Sequence, residues 1–173
     1  MKKILTLFAL VGLIVFSSCE GPEGPPGQDG LLAEAFEIKN VNLTRITNTH
    51  YEYANNFKPF VGGNLFDDET VLIYRLTDLT NSGAPVWQLI PKTTNYDNGD
   101  VADYFFDFSK EDFVISVIAS FNLATQTDLI NNQTYRVVII PSALAKSVTN
   151  KNNYLEVMNT LKLNESEIKT VKF

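Results

Sequence analysis

The residue with the most distinctive chemistry is Cys19, the only cysteine in this 173-residue chain. A thiolate is a nucleophile that accepts covalent groups and binds metals. One cysteine and one histidine exclude a His/Cys zinc site. A single cysteine also forms no disulfide within a monomer, so a folded domain must be stabilised by an apolar core. The role of this thiol therefore has to be sought in the residues around it.

The segment before Cys19 has the layout of a secretory signal. Lys2 and Lys3 form a basic start, and residues 4–16 form a nearly uninterrupted apolar run. A helix needs roughly 20 apolar residues to cross a bilayer, so this run is too short to span one. It fits the hydrophobic region of a signal peptide, and we expect residues 1–18 to be removed.

The four residues Phe16-Ser17-Ser18-Cys19 resemble the lipobox of bacterial lipoproteins. In that family the cysteine sulfur receives a diacylglyceryl group, and a dedicated peptidase cuts directly before it. Phe16 stands where Leu or another aliphatic residue is usual. The resemblance implies two or three acyl chains on Cys19, such as palmitate, and each buried methylene contributes about 0.8 kcal/mol to membrane binding. The alternative is an ordinary secretory signal followed by an unmodified cysteine.

A Gly/Pro-rich tether is predicted over residues 19–32. Glycine recurs at every third position from 21 to 30, which is a collagen-like pattern. It is compatible with a short triple helix that makes a trimer, or with an extended spacer. Three triplets form few interchain hydrogen bonds against the entropy of aligning three chains. We therefore favour the spacer, which reaches on the order of 35 Å when extended.

A lipobox cysteine, an acidic Gly-Pro tether and one compact β-rich domain are together similar to small collagen-like lipoproteins of Bacteroidota, a group without an assigned activity. Glu20 and Glu23 partly match the acidic stretch that directs such proteins to the cell surface. The resemblance implies a lipid-anchored protein of the cell envelope. Its expected place is the outer membrane, on the periplasmic or the exposed side.

The charge of the exported chain limits its partners. Without Lys2 and Lys3 the chain has 12 basic and 20 acidic residues, a net charge of −8. An acidic, exported chain argues against nucleic acid and against anionic lipid headgroups as partners. The expected partners are the membrane, through the lipid on Cys19, and a glycan or another envelope protein.

Short apolar segments separated by turn residues predict a mainly β domain over residues 33–145. Seven strands are expected, at 36–43 with a bulge near Asn40, 50–53, 70–77, 86–90, 102–108, 113–120 and 134–140. The nearly continuous apolarity of 70–77 predicts a strand that is covered on both faces. Helical connections of the length that a parallel sheet requires are absent. The sequence therefore predicts an antiparallel β-sandwich of about seven strands, immunoglobulin-like or jelly-roll-like in architecture.

Residues 146–173 change period and predict a short C-terminal helical extension. Apolar residues from Tyr154 to Leu163 fit an amphipathic helix, with Asn152 or Asn153 as its cap. Asn164, with Glu167 three residues later, predicts the start of a second helix. We expect these helices to pack on one end of the sandwich.

One turn carries the only metal candidate. Asp97, Asn98, Asp100 and Asp103 could offer oxygens to calcium, although their spacing does not match the EF-hand loop. The Asn-Gly pair at 98–99 predicts a type I′ hairpin turn. Carboxylates on such turns are usually solvated, so we favour a chain without a metal or other cofactor.

Aromatic residues are the main binding candidates. Tyr51, Tyr53, Tyr96 and Tyr104 could stack on sugar rings or peptide. In a sandwich without disulfides such rings mostly fill the core, which is the favoured interpretation, and Trp87 is predicted to be buried in mid-strand.

No catalytic constellation stands out in the sequence. The chain has no Gly-x-Ser-x-Gly motif, and His50 is its only imidazole. The sequence therefore predicts a non-catalytic binding or structural module. The alternative is a small glycan-active hydrolase that uses paired carboxylates.

Overall fold

The computed structural model describes residues 32–172, which form ten strands. In chain order these are β1 (Glu34–Val41), β2 (Thr44–Arg45), β3 (His50–Asn56), β4 (Glu69–Leu79), β5 (Pro85–Ile90), β6 (Lys92–Asn95), β7 (Val101–Phe108), β8 (Asp112–Ala119), β9 (Gln133–Pro141) and β10 (Lys169–Lys172). The predictions of a signal peptide, a lipidated Cys19 and a tether lie outside the described residues.

Three α-helices and three 3-10 turns connect or flank the strands. The α-helices are α1 (Lys58–Val61), α2 (Ser142–Ala145) and α3 (Tyr154–Thr160). The 3-10 turns are Leu123–Thr125, Thr127–Leu129 and Glu165–Glu167. None of the helices in the described part of the chain is long and apolar enough to span a bilayer.

The strands form two five-stranded sheets, which confirms the predicted mainly β fold. The first sheet has the order β10-β1-β9-β4-β5, and the second has the order β2-β3-β8-β7-β6. All neighbours pair antiparallel except β1 and β10, which are parallel. The inner faces of both sheets supply one core, with Ile73 and Val137 from the first sheet and Ile115 and Val117 from the second. This arrangement is a β-sandwich.

The sandwich has more strands than the seven predicted. The short strands β2, β6 and β10 are exposed along most of their length and are rich in polar residues. They lack the apolar alternation by which strands are recognised in a sequence, because edge strands have fewer neighbours to pack against. Each of them lies at an edge of its sheet.

Both faces of the central strands are covered, as the apolarity of 70–77 predicts. Val71 and Ile73 of β4 point into the inner core, while Leu72 and Tyr74 belong to a second apolar cluster on the outer face of the first sheet. Helix α3 contributes Tyr154, Val157 and Met158 to that outer cluster, and Leu161, directly after the helix, also belongs to it. The helix therefore packs on the outer face of the first sheet, and the expectation that it packs on one end of the sandwich is wrong.

The end of the chain also differs from the prediction. Asn153 caps α3 as expected, since its side-chain oxygen accepts from the backbone N–H of Glu156 at 3.2 Å. Asn164 caps only a three-residue 3-10 turn, and the chain then continues as β10. Strand β10 pairs with the edge of β1, because an open strand edge offers backbone partners that a short isolated helix lacks.

Local backbone geometry confirms one turn prediction and corrects another. The pairing of β1 with β9 shifts register between Ile38 and Val41, and Asn40 has a φ of 59°, so the bulge near Asn40 is confirmed. The turn between β6 and β7 is not type I′, because Gly99 is left-handed, at φ 87°, whereas Asn98 is not. A hydrogen bond of 2.9 Å from Gly99 N–H to the Tyr96 carbonyl closes this turn. The pattern is that of a type I turn followed by a left-handed glycine.

Candidate functional site

The four tyrosines named as candidates for ligand binding lie in or against the inner core. Tyr51 and Tyr104 are buried, and Tyr53 and Tyr96 are half-buried against the same cluster. The Tyr104 hydroxyl donates a hydrogen bond of 2.5 Å to the Leu129 carbonyl, and burial raises the pKa of Tyr104 to about 12. These rings fill the core, which is the interpretation favoured above, and they do not form one exposed face.

The residues of the calcium candidate bind one another or lie apart. The Asn98 amide donates to Asp100 Oδ2 at 2.7 Å, and Ser120 Oγ donates to Asp100 Oδ1 at 3.1 Å. Asp97 is exposed, whereas Asp103 lies on β7, paired with residues of β6 and β8. Within residues 32–172, no three His, Cys, Asp or Glu side chains form a group that could hold a metal ion.

A groove that the sequence did not predict lies on the outer face of the first sheet, between β5 and the start of α3. Its volume is about 680 Å³, which falls within the roughly 300–1,000 Å³ range of small-molecule sites. Its walls include the rings of Trp87 and Tyr154, the apolar side chains of Pro85 and Leu155, the carboxylate of Glu165 and three asparagines at 150, 152 and 153. We call this feature the β5–α3 groove.

Hydrogen bonds and ring contacts fix the α3 side of the groove on the sheet. The Tyr74 hydroxyl donates to the Lys151 carbonyl at 2.6 Å, which holds the loop before α3. Tyr154, the first residue of α3, lies edge-on to Tyr74 with ring centroids 5.2 Å apart. The centroid of Trp87, on β5, lies 5.5 Å from that of Tyr154. Strand, loop and helix are therefore held together by buried contacts at the base of the groove.

Arg136 lies beneath the groove and joins three elements. It is 6% exposed on β9 and stands directly opposite Glu37 of β1 in the strand register. Its guanidinium donates to Glu37, to the Tyr154 hydroxyl and, at 2.5 Å, to Glu165 Oε2. The Tyr154 hydroxyl in turn donates to Glu165 Oε1 at 2.5 Å. The same guanidinium lies 4.6 Å from the centre of the Trp87 ring, a cation–π contact.

The contacts within this network favour the charged forms of Glu37 and Arg136 and the neutral form of Tyr154. Burial alone would raise the pKa of Glu37, but hydrogen bonds from Lys39 and Arg136, and the charges of both, hold it below its usual value. Burial opposes the charge on Arg136, yet its bonds to Glu165 and Glu37 and the nearby Tyr154 raise its pKa. Burial and the bond to Glu165 raise the pKa of Tyr154. The tyrosine is thus a neutral donor between two opposite charges.

Amide groups form the polar rim of the groove. Asn150 Oδ1 accepts from the backbone N–H of Asn152 at 3.2 Å, and Asn153 Oδ1 accepts at the helix cap. The amide nitrogens of these two residues and the whole side-chain amide of Asn152 have no hydrogen-bond partner within the described residues. An amide both donates and accepts, so the rim can satisfy a ligand that does both.

The two carboxylates that contact Arg136 are already hydrogen-bonded. Glu165 is the one carboxylate among the described residues that line the groove, and both of its oxygens are engaged. Glu37, the second carboxylate on Arg136, is buried and does not line the groove.

Comparison of the chain with known protein families, curated proteins and solved structures gave no match.

One signal in the sequence and one in the structure point toward this site in retrospect. Arg136 is a lone charge within the otherwise apolar segment 135–140, and a charge in a strand that is covered on both faces requires a partner. Trp87 is half-buried rather than buried, and its enclosed indole N–H has no partner. Neither signal identifies Glu37, Tyr154 or Glu165, which are distant in the sequence.

Proposed function

We propose that the protein is a lipid-anchored lipoprotein of the cell envelope whose β-sandwich is a non-catalytic binding module. In this proposal Cys19 carries the lipid, and the Gly/Pro tether separates the domain from the membrane. The β5–α3 groove is the ligand site. A structural role in the envelope, through contact with another envelope protein, is the other form of the same proposal.

The observation that supports the binding role is the groove itself. It has the volume of a small-molecule site and combines apolar walls with a few polar groups, which is the usual composition of such sites. The walls are held by the buried Arg136 network and by the bond from Tyr74 to Lys151. A rigid site loses little conformational entropy when a ligand binds, so more of the contact energy becomes affinity.

The non-catalytic part of this proposal is supported by the pKa of Glu37 and by the hydrogen bonds of Glu165. A glycan hydrolase requires one carboxylic acid that is protonated and one carboxylate that is ionised. Glu37 has a lowered pKa and does not line the groove, and both oxygens of Glu165 already accept hydrogen bonds, so the described lining of the groove contains no pair of free carboxylates. Nothing in the groove favours the hydrolase alternative.

Two measurements test the two parts of the proposal. Mass spectrometry of the native N-terminus is expected to find a chain that begins at Cys19 with added acyl mass. A chain that begins elsewhere without that mass would refute the anchor. For the groove, Trp87 is the only tryptophan in the chain, so its fluorescence reports directly on occupancy. A broad ligand screen that never alters this fluorescence would count against a binding role and leave the structural one.

A further inference from the structure

We infer that the β5–α3 groove takes a short neutral saccharide. This inference rests on the proposed binding function and adds the ligand class. It is argued from the lining chemistry, the compensated charge beneath the groove and the unpaired amides at its rim.

The walls of the groove match the two-sided chemistry of a sugar ring. The half-buried Trp87, the exposed Pro85 and the exposed Leu155 form an apolar wall. The polar groups of the rim include the side-chain amide of Asn152 and the amide nitrogen of Asn150, which have no hydrogen-bond partner within the described residues. A pyranose has an apolar C–H face and a perimeter of hydroxyls that both donate and accept. The C–H face can pack against the apolar wall, and the hydroxyls can form hydrogen bonds with the amide groups.

The charge of the site selects a neutral ligand. The only guanidinium beneath the groove, that of Arg136, already contacts Glu37 and Glu165. Lys39 also contacts Glu37, so two cations face two carboxylates here and their formal charges sum to zero. The chain as a whole is acidic, with a formal net charge of −6, which further disfavours an acidic sugar.

Other ligand classes fit less well. A purely apolar chain would cover the Asn152 amide without pairing it, and removing an unpaired amide from water is unfavourable. An extended peptide pairs with a strand edge, and β5 is the edge strand of the first sheet. The groove, however, is lined by Pro85 and Trp87, which share one face of β5 and do not lie along its edge. The groove is instead a local depression at the start of α3 and the adjoining end of β5. A saccharide can pack against the apolar walls and form hydrogen bonds with the amides of the rim at the same time.

The test uses the full mature chain with Cys19→Ser, so that no acyl chain is attached. Trp87 fluorescence and calorimetry are measured with neutral di- and trisaccharides, uronic acid disaccharides, medium-chain fatty acids and a short-peptide library. Asn152→Ala removes an amide that can form a neutral hydrogen bond with the ligand, and it breaks no side-chain hydrogen bond within the described residues. It is expected to weaken saccharide binding about two- to tenfold. Asn95→Ala, on the exposed strand β6 of the other sheet, is the matched control and is expected to change nothing.

The outcomes separate this inference from the proposed function. Saturable binding of neutral saccharides, weakened by Asn152→Ala and unaffected by Asn95→Ala, supports both. If another class alone changes Trp87 fluorescence, the saccharide inference is overturned while the binding function stands. If saccharides bind equally well to the Asn152→Ala variant, their site is elsewhere and the inference is again overturned. If no class binds, the inference and the binding function both fail.

Discussion

Replacing Arg136 with methionine removes the charge beneath the groove and keeps most of the side-chain volume. Arg136 and Glu37 have side chains that are 7% and 5% exposed, and removing one partner of a buried ion pair typically costs about 3–5 kcal/mol. Two features place the expected loss at the lower end. Glu37 keeps its contact with Lys39 at 2.7 Å, and Glu165, which is 54% exposed, can be rehydrated. We therefore expect a loss of about 3 kcal/mol in the free energy of unfolding.

The assay is urea denaturation followed by far-ultraviolet circular dichroism, since Trp87 fluorescence is itself altered by the loss of Arg136. With a slope of about 2 kcal/mol per molar, the midpoint should fall by about 1.5 M. The double variant Glu37→Met with Arg136→Met leaves no buried charge. It should be at least about 1 kcal/mol more stable than Arg136→Met alone.

A matched control is the exposed pair Lys110–Asp67, whose side chains are 59% and 84% exposed. Lys110→Met should cost no more than about 1 kcal/mol, because an exposed pair contributes little. The reasoning is refuted if Arg136→Met costs no more than this control. It is also refuted if the losses of the two single variants at 37 and 136 simply add in the double variant.

Three further predictions concern pH, a turn and a helix cap. Folding lowers the pKa of Glu37, so the contribution of this carboxylate to stability is present above its unfolded pKa, near 4.5, and is lost as the pH falls through its lower folded pKa. Glu37→Gln should therefore flatten the acid limb of the curve of stability against pH, and an unchanged limb would contradict this. Gly99→Ala should lower stability to thermal unfolding by about 1 kcal/mol, because Gly99 has a φ of +87°, although an added Cβ meets nothing within 4 Å. The control Gly63→Ala has equal space and no positive φ, so it should be nearly neutral. Equal losses in the two variants would show that backbone conformation is not the cause. Asn153→Ala should lower stability by about 1 kcal/mol through loss of the α3 cap, whereas a loss no greater than that of Asn152→Ala would show that the cap contributes little.

The strand content of the domain could be read from the sequence because it depends on local pattern. The segment 70–77 is apolar on both phases, and β4 is indeed covered on both faces. The same period appears in the structure of β7, where Ala102 and Tyr104 are buried and Asp103 between them is only partly buried. These features follow from a period of two residues along a single strand, and they require no knowledge of the neighbours.

The turn at 97–100 shows where local pattern was insufficient. Asn-Gly is compatible with a type I′ turn, but the loop here runs from Tyr96 to Asp100, and its ends are joined by a hydrogen bond of 2.9 Å. A loop of this length needs one left-handed residue, and Gly99 supplies it. The strand ends that set the loop length are fixed by pairing with β6 and β8, which the dipeptide alone does not encode.

The sequence by itself determined the class of the fold and the bulge at Asn40, and it narrowed the cap of α3 to Asn152 or Asn153, because each of these depends on residues within a few positions of one another. The predicted lipid on Cys19 comes from the same kind of local pattern and awaits its own measurement. Only the tertiary structure decided the groove. Glu37, Trp87, Arg136, Tyr154 and Glu165 come from three strands and the C-terminal segment, and pairing across the first sheet brings them together. Contacts between residues so distant in the chain are set by strand order and by the position of α3 on the sheet, and a linear pattern of apolar and polar residues does not specify either.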